Sequence, residues 1–181
     1  MTSPEAVERL LKQGEGINVE FKQARASLPN DVFESVCAFL NRQGGHVLLG
    51  ARDDGTAVGV VEEAADALQR DFAALSNNPT KLQPPFLLEL QPVRLAGGHL
   101  MLHAYVPQSS QVHRSGGIVF DRKHEGDFRL TDDTRISQLY ARKSSYYTES
   151  RIYPDWGASA FKPGLLDRAR NLMRSYRPDH P

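Results

Sequence analysis

VEFKQARASLPNDVFESVCAFLNRQGGHVLLGARDDGTAVGV, residues 19–60, is the stretch from which the fold can be read. Val19 and Phe21 alternate with Glu20 and Lys22, the period of a half-buried strand, so Glu20 and Lys22 share its polar face. Val32, Val36, Phe39 and Leu40 then recur at helical spacing and give a helix a core-facing stripe. Gly44-Gly45 stops that helix. His46 to Ala51 is nearly all apolar, as a central strand buried on both faces would be. Asp53-Asp54-Gly55 predicts a hairpin turn, with Thr56 to Val61 as the return strand. The expected unit is β-α-β-β, with carboxylates near the ends of its strands.

Working outward, Ser3-Pro4-Glu5 is a helix start: a hydroxyl N-cap, Pro at the first position and an acid against the helix dipole. Val7, Leu10 and Leu11 form its apolar stripe, and Gly14 ends it. Glu15 has the opposite strand parity to Glu20 and joins it only if the chain bends near Gly14 or Gly16. Beyond the central unit, Glu62 to Leu75 reads as a helix. Phe86 to Leu95 and His99 to Val106 read as a second hairpin, with Pro92 pushing its first strand to an edge. Ser109 to Gly117 is expected to be a mobile loop. Ile118–Phe120 and Phe128–Leu130 are short strands on either side of Arg122-Lys123-His124. Asp132 or Asp133 opens a helix through Ile136, Leu139 and Tyr140. After a turn around Tyr153-Pro154-Asp155-Trp156, a last helix carries Leu165, Leu166, Ala169, Leu172, Met173 and Tyr176, with Arg168, Arg170, Arg174 and Arg177 mostly opposite. The expected architecture is α+β, a mixed sheet flanked by helices. Residues 1–150 would form the main domain, and residues 151–181 a basic helical extension packed on it.

The 181 residues carry equal numbers of acidic and basic side chains. The signs are unevenly placed, since acids predominate up to residue 134 and bases after it. A basic C-terminal quarter suits contact with phosphate. No apolar run is long enough for a bilayer span, and the acidic, amphipathic N-terminus resembles no secretory or transit signal. A cytoplasmic protein without membrane contact is expected. Cys37, the single cysteine, lies on a helical core pattern and reads as a buried thiol rather than a reactive one. His46, His99, His103, His113, His124 and His180 show no metal-ligand spacing. The chain lacks a phosphate loop, a zinc helix and a nucleophile elbow.

The remaining chemistry is acidic. If the first and central strands are neighbours, their ends bring Glu15, Glu20 and Asp53 together. Such carboxylates repel one another unless a cation lies between them, and oxygen-only ligands favour Mg²⁺ or Mn²⁺. Beside Lys22, such an ion could activate water against a phosphodiester. Equally, Asp53 could be a turn residue and Glu20–Lys22 a pair along the strand. Lys22, Arg25, Arg42 and Arg52 flank the acids in sequence, and Arg142-Lys143 lie on a later helix. All six are candidates for contact with nucleic acid.

Glu20-Phe21-Lys22, Ala38-Phe39, Asn41, Gly44-Gly45, Leu49-Gly50, Asp53-Asp54-Gly55 and Val58-Gly59 occur in the order and at the spacings of a Schlafen-type Alba-like domain, which the chain resembles. The clear match runs over residues 15–61, with a fainter echo from Ile118 to Tyr140. The resemblance implies nucleic-acid binding. In its nuclease members it implies a three-carboxylate, divalent-metal-dependent endonuclease site, RNA such as tRNA being the substrate. Those three acids fall on Glu15, Glu20 and Asp53. Arg42 and Arg52 depart from the usual residues, and the cysteine-rich zinc site of animal members is missing. A non-catalytic DNA-binding regulator and a nucleotide-binding module are the alternatives, the missing phosphate loop counting against the second. Animal members resemble two such lobes in one chain, so a homodimer is expected here.

Overall fold

The computed structural model describes residues 2–124, 126–144, 162 and 164–176. The chain forms two compact units, Met1–Tyr146 and Tyr147–Pro181. In the first unit, α1 (Pro4–Gln13) begins as expected, with the Ser3 hydroxyl accepting the Ala6 N–H. It leads into β1 (Val19–Lys22), α2 (Val32–Asn41) and β2 (Gly45–Leu49). Then come α3 (Glu62–Ser76), β3 (Leu82–Gln83), β4 (Gln91–Arg94), β5 (Leu100–Val106) and β6 (Arg114–Ser115). The hairpin β7 (Val119–Lys123) and β8 (Gly126–Leu130) precedes α4 (Asp133–Ser144).

The main sheet has the order β1-β2-β5-β4, which makes β2 central and leaves β4, with Pro92, at an edge. β1 and β2 are parallel, with Glu20 opposite Val47, and β5 is antiparallel to β2 and to β4. Alternation along the strands gives two cores. On one side Val19, Phe21, Leu48 and Met101 pack with Val7 of α1. On the other, Val47, Leu49, Leu102 and Ala104 pack with Val36 and Leu40 of α2 and Leu68 and Phe72 of α3.

Helix α2 was expected to bury one stripe. In fact every residue of it except Glu34 is buried, because the β7–β8 hairpin contributes Phe120 to the same core. Asn41, the last residue of α2, fastens the helix there. Its side-chain amide donates to the His113 and Phe120 carbonyls at 2.9 and 2.8 Å, and its Oδ1 accepts the His113 N–H at 2.7 Å. The glycine pair after it has steric reasons. Gly44 adopts φ +79°, and a side chain on Gly45 would run into the Phe39 ring and the Asn18 carbonyl oxygen.

Three expectations need correction. The return strand after Asp53-Asp54-Gly55 is reduced to a single bridge, Ala51 with Ala57. Val58 and Gly59 both donate to the Gly50 carbonyl, so the chain curls around Gly50 instead of running alongside β2. The Ser109–Gly117 segment is anchored. Ser109, Val112 and His113 are buried, because Asn41 and the Leu40 carbonyl take its backbone groups. Arg122 and Lys123 belong to β7, and the hairpin turn falls later, at His124 with φ 55°.

The second unit shows α5 (Leu165–Tyr176), where the sequence expected a helix. Leu165, Leu166 and Leu172 are exposed, and Arg170 pairs with Asp167 at 3.1 Å. The expected turn at Tyr153–Trp156 lies outside the described residues, as do the side chains of Met173, Arg174 and Tyr176 and all of Arg177.

Candidate active site

Because Val19 and Phe21 face α1, alternation turns Glu20 and Lys22 toward α2. Glu20 is buried, only 7% exposed. Its Oε1 accepts from Lys22 Nζ at 2.9 Å and from the Ser35 hydroxyl of α2 at 3.2 Å. Its Oε2 accepts from Arg122 Nη2 at 2.7 Å. Lys22 also binds Asp31, just ahead of α2, at 2.8 Å. Burial pulls the Lys22 ammonium down, but its bonds to Asp31 and Glu20 outweigh this and hold it above the ordinary lysine value.

Arg122 was not among the sequence candidates. Its side chain is fully buried, and it donates to Asp127 at 2.6 Å and to the Gly16 and Val19 carbonyls. Its guanidinium lies over the Phe39 ring, 4.7 Å from the centroid. Asp31, Lys22, Glu20, Arg122 and Asp127 thus form a run of alternating charge from β1 to the β7–β8 hairpin. The only sequence signal for Arg122 is its place between two short apolar runs, where a solvent-facing turn was the simpler reading.

The bend that Glu15 requires is present. Gly16 and Val19 bond each other's backbone, and Glu15 Oε1 accepts the Phe21 N–H of β1 at 2.9 Å. Burial pushes the Glu15 carboxyl above its ordinary value against the opposing Phe21 bond, and the charges of Glu20 and Asp53 push it further. Asp53 lies exposed in the turn after β2. Glu15 therefore lies within electrostatic reach of both Glu20 and Asp53. Among the described residues, no three His, Cys, Asp or Glu side chains are grouped closely enough to hold a metal ion as they stand. As a donor set they are oxygen-only and mutually repelling, which suits a hard divalent cation, but Glu20 already has two cationic partners.

The basic candidates divide. Arg25 and Arg52 are exposed. Arg42 and Arg142 both bind Asp121 of β7, at 3.4 and 3.1 Å. Lys143 is 4% exposed and donates to the Leu40 and Ser109 carbonyls, each at 2.7 Å. Burial lowers its ammonium to about 8. Its donors face the end of α2, where a cation complements the helix dipole. Cys37 is buried as expected, and burial pushes its thiol up to about 12. No described helix is long and apolar enough to cross a membrane.

Two further polar groups went unread in the sequence. His46 Nδ1 meets His103 Nε2 at 2.8 Å across β2 and β5, and His103 Nδ1 meets the Thr2 hydroxyl at 2.8 Å. His113 Nδ1 donates to the Pro84 carbonyl at 2.8 Å, which leaves its Nε2 to accept from the Ser109 hydroxyl at 2.7 Å.

Comparison with known proteins adds two findings. The family described as Schlafen, AlbA_2 matches residues 15–145. The crystal structure of the DIP2311 protein from Corynebacterium diphtheriae is similar in fold, with a TM-score of 0.55 at 17% identity. That similarity covers 96% of this chain but only 37% of that one, so the chain spans little more than a third of that protein's length. No curated protein matches the sequence.

Proposed function

Because this chain belongs to the Schlafen AlbA_2 family, we propose that it is a nucleic-acid-binding protein that cleaves its substrate, RNA in preference to DNA, with Mg²⁺ or Mn²⁺. Glu15, Glu20 and Asp53 would hold the ion. The observation that carries this reading is the bend at Gly16, which holds Glu15 on the Phe21 N–H at 2.9 Å, beside the strand that carries Glu20. A bound divalent ion supplies a Lewis acid and a water of lowered pKa. The chain's own residues do the rest. Phe21 N–H holds one Glu15 oxygen in place, Arg122 and Ser35 orient Glu20, and Lys22 offers a cation to a phosphate oxygen. Arg25 and Arg52 extend that positive surface.

The test is cleavage of labelled tRNA and single-stranded DNA by the purified protein. Glu20→Gln and Asp53→Asn are each expected to reduce the rate by roughly a hundredfold or more, with binding nearly intact. Activity unchanged in excess EDTA would overturn the metal-dependent form. The rival reading, a DNA-binding regulator without catalysis, is favoured by the satisfied state of Glu20, whose partners suit a structural role equally well. For that protein the wild type itself would cut neither substrate with any divalent ion, and both amide variants would bind as it does.

We further propose that two copies pair around one groove, as the opposite charges of the chain's two parts allow. Light scattering at micromolar concentration and moderate salt should report twice the chain mass. A monomer that still binds nucleic acid one-to-one would refute the pairing.

A further inference from the structure

The ladder between β4 and β5 stops early. Its first rung pairs Gln91 with His103, and the same register carried back along the chain would set Glu89 against Tyr105 and Leu87 against Pro107. Those rungs do not form, because α3 draws the chain aside. Ser76, the buried last residue of α3, accepts the Phe86 N–H on its carbonyl at 3.0 Å and the Leu88 N–H on its hydroxyl at 3.1 Å. Leu88 and Leu90 enter the core with Leu68 and Phe72. The segment before β4 is thus tied to the helix and parts from β5. The wedge left between them is a cavity of about 500 Å³.

Leu87 and Glu89 line one wall of the wedge, and Tyr105 and Pro107 the other. Its closed end is firmly built. The Thr2 N–H donates to Gln91 Oε1 at 3.2 Å, and the Thr2 hydroxyl meets His103 Nδ1 at 2.8 Å. The Tyr105 ring is tilted against His46, with centroids 5.2 Å apart. Leu87 is 63% exposed, a large apolar side chain at the mouth of a cavity. Burial, with the charge of His46 beside it, lowers His103 to about 4, so that ring is neutral at pH 7. Among the described residues no lysine or arginine lines the wedge, and Glu89 has no ionic partner there. The charge of the site is therefore negative only, and a phosphate finds no cation in it.

We propose that the wedge binds a small aromatic amine, with its ring between Leu87 and the Tyr105 wall and its ammonium on the Glu89 carboxylate. Cavities of about 300–1,000 Å³ with mostly apolar walls and a few placed polar groups are the usual form of a small-molecule site. A single carboxylate at the edge of such walls selects a cation, and the face of a tyrosine ring favours one further. The site is separate from the carboxylates of the cleavage reading. His103 and Tyr105 share the parity of Met101, which packs on the α1 side of the sheet, whereas Glu20 faces α2. The proposal goes beyond that reading and stands or falls without it.

The test is calorimetric titration of the full-length chain with tryptamine. Indole-3-propionate serves as the same ring carrying a negative charge, and putrescine as a cation without a ring. Tryptamine is expected to bind one-to-one, and each of the other two roughly tenfold more weakly. Glu89→Gln should weaken tryptamine by roughly three- to fivefold, as for an exposed ion pair. Leu87→Trp fills the wedge from an exposed position and should abolish binding. Both variants should melt as the wild type does, so that lost binding is not lost folding. Failure of tryptamine to bind overturns the proposal. So does equal affinity for indole-3-propionate, or unchanged tryptamine binding in Leu87→Trp. A particle mass that falls in light scattering as tryptamine is added would show a second copy seated in the wedge, and would overturn it as well.

Discussion

Arg122→Met is expected to destabilise the protein by about 3–5 kcal/mol, a large share of the stability of a domain this size. Met fills much of the same space, so the loss is not principally a cavity. It comes from the partners left behind. Glu20 and Asp127 would remain buried or partly buried with a cation removed, and the Gly16 and Val19 carbonyls would lose their donor. A buried anion stripped of its cation costs far more than the intact pair contributes. Adding Glu20→Gln to Arg122→Met should therefore recover part of the loss, and urea unfolding of the two single variants and the double variant measures the coupling. A loss below about 1 kcal/mol in Arg122→Met would show that water reaches this network freely.

The second large effect is acid sensitivity. Burial lowers His103 to about 4, with the charge of His46 beside it adding to the effect. Burial also lowers His113 to about 4, against the opposing Pro84 bond and with Lys143 assisting. In the unfolded chain both titrate near the ordinary value of 6.5. Between pH 6.5 and 4 the unfolded state therefore binds protons that the folded state refuses, and stability falls as the pH falls through that window. The contribution is on the order of 2–3 kcal/mol for each histidine across the full window. Glu15 works the other way, since a raised carboxyl favours the folded state as it takes up its proton. The two histidines outweigh it. Urea midpoints should drop steadily from pH 7 to 4.5, and His103→Gln should flatten part of that slope. A flat profile in the wild type would mean that both rings are charged when folded.

What could be read in the sequence was whatever repeats locally. The alternation in Val19–Lys22, the stripe of α2 and the unbroken apolar run of β2 fixed the order of the central unit. The bend at Gly16 was legible only as a condition on Glu15. Gly44, Gly45, Asn41 and the Asp-Asp-Gly turn could be recognised as a pattern, but their reasons are tertiary. Asn41 spans 72 residues to reach His113, and the room at Gly45 is set by Phe39 and Asn18. The same distance hid Arg122, whose carboxylate partner Glu20 lies 102 residues upstream. It also hid the role of Lys143, for a lysine on a helix face carries no local mark of the two carbonyls waiting for it. Polarity in the Ser109–Gly117 segment does not mean looseness, because Asn41 takes the His113 N–H and Lys143 donates to the Ser109 carbonyl.

The sheet is also closed to growth. Glu15 sits on the Phe21 N–H along the outer side of β1, and the Gly16–Val19 turn folds over the start of that strand. At the far side, β4 carries Pro92, which has no N–H to give, and Arg94, which is paired with Glu62. Neither border offers the row of open backbone groups that lets strands add from one molecule to the next. Association of copies through either border of this sheet would therefore have to rest on side chains. The Glu15 carboxylate thus acts as a plug on the outer side of β1, and a chain that loses it opens the Phe21 N–H to a new partner.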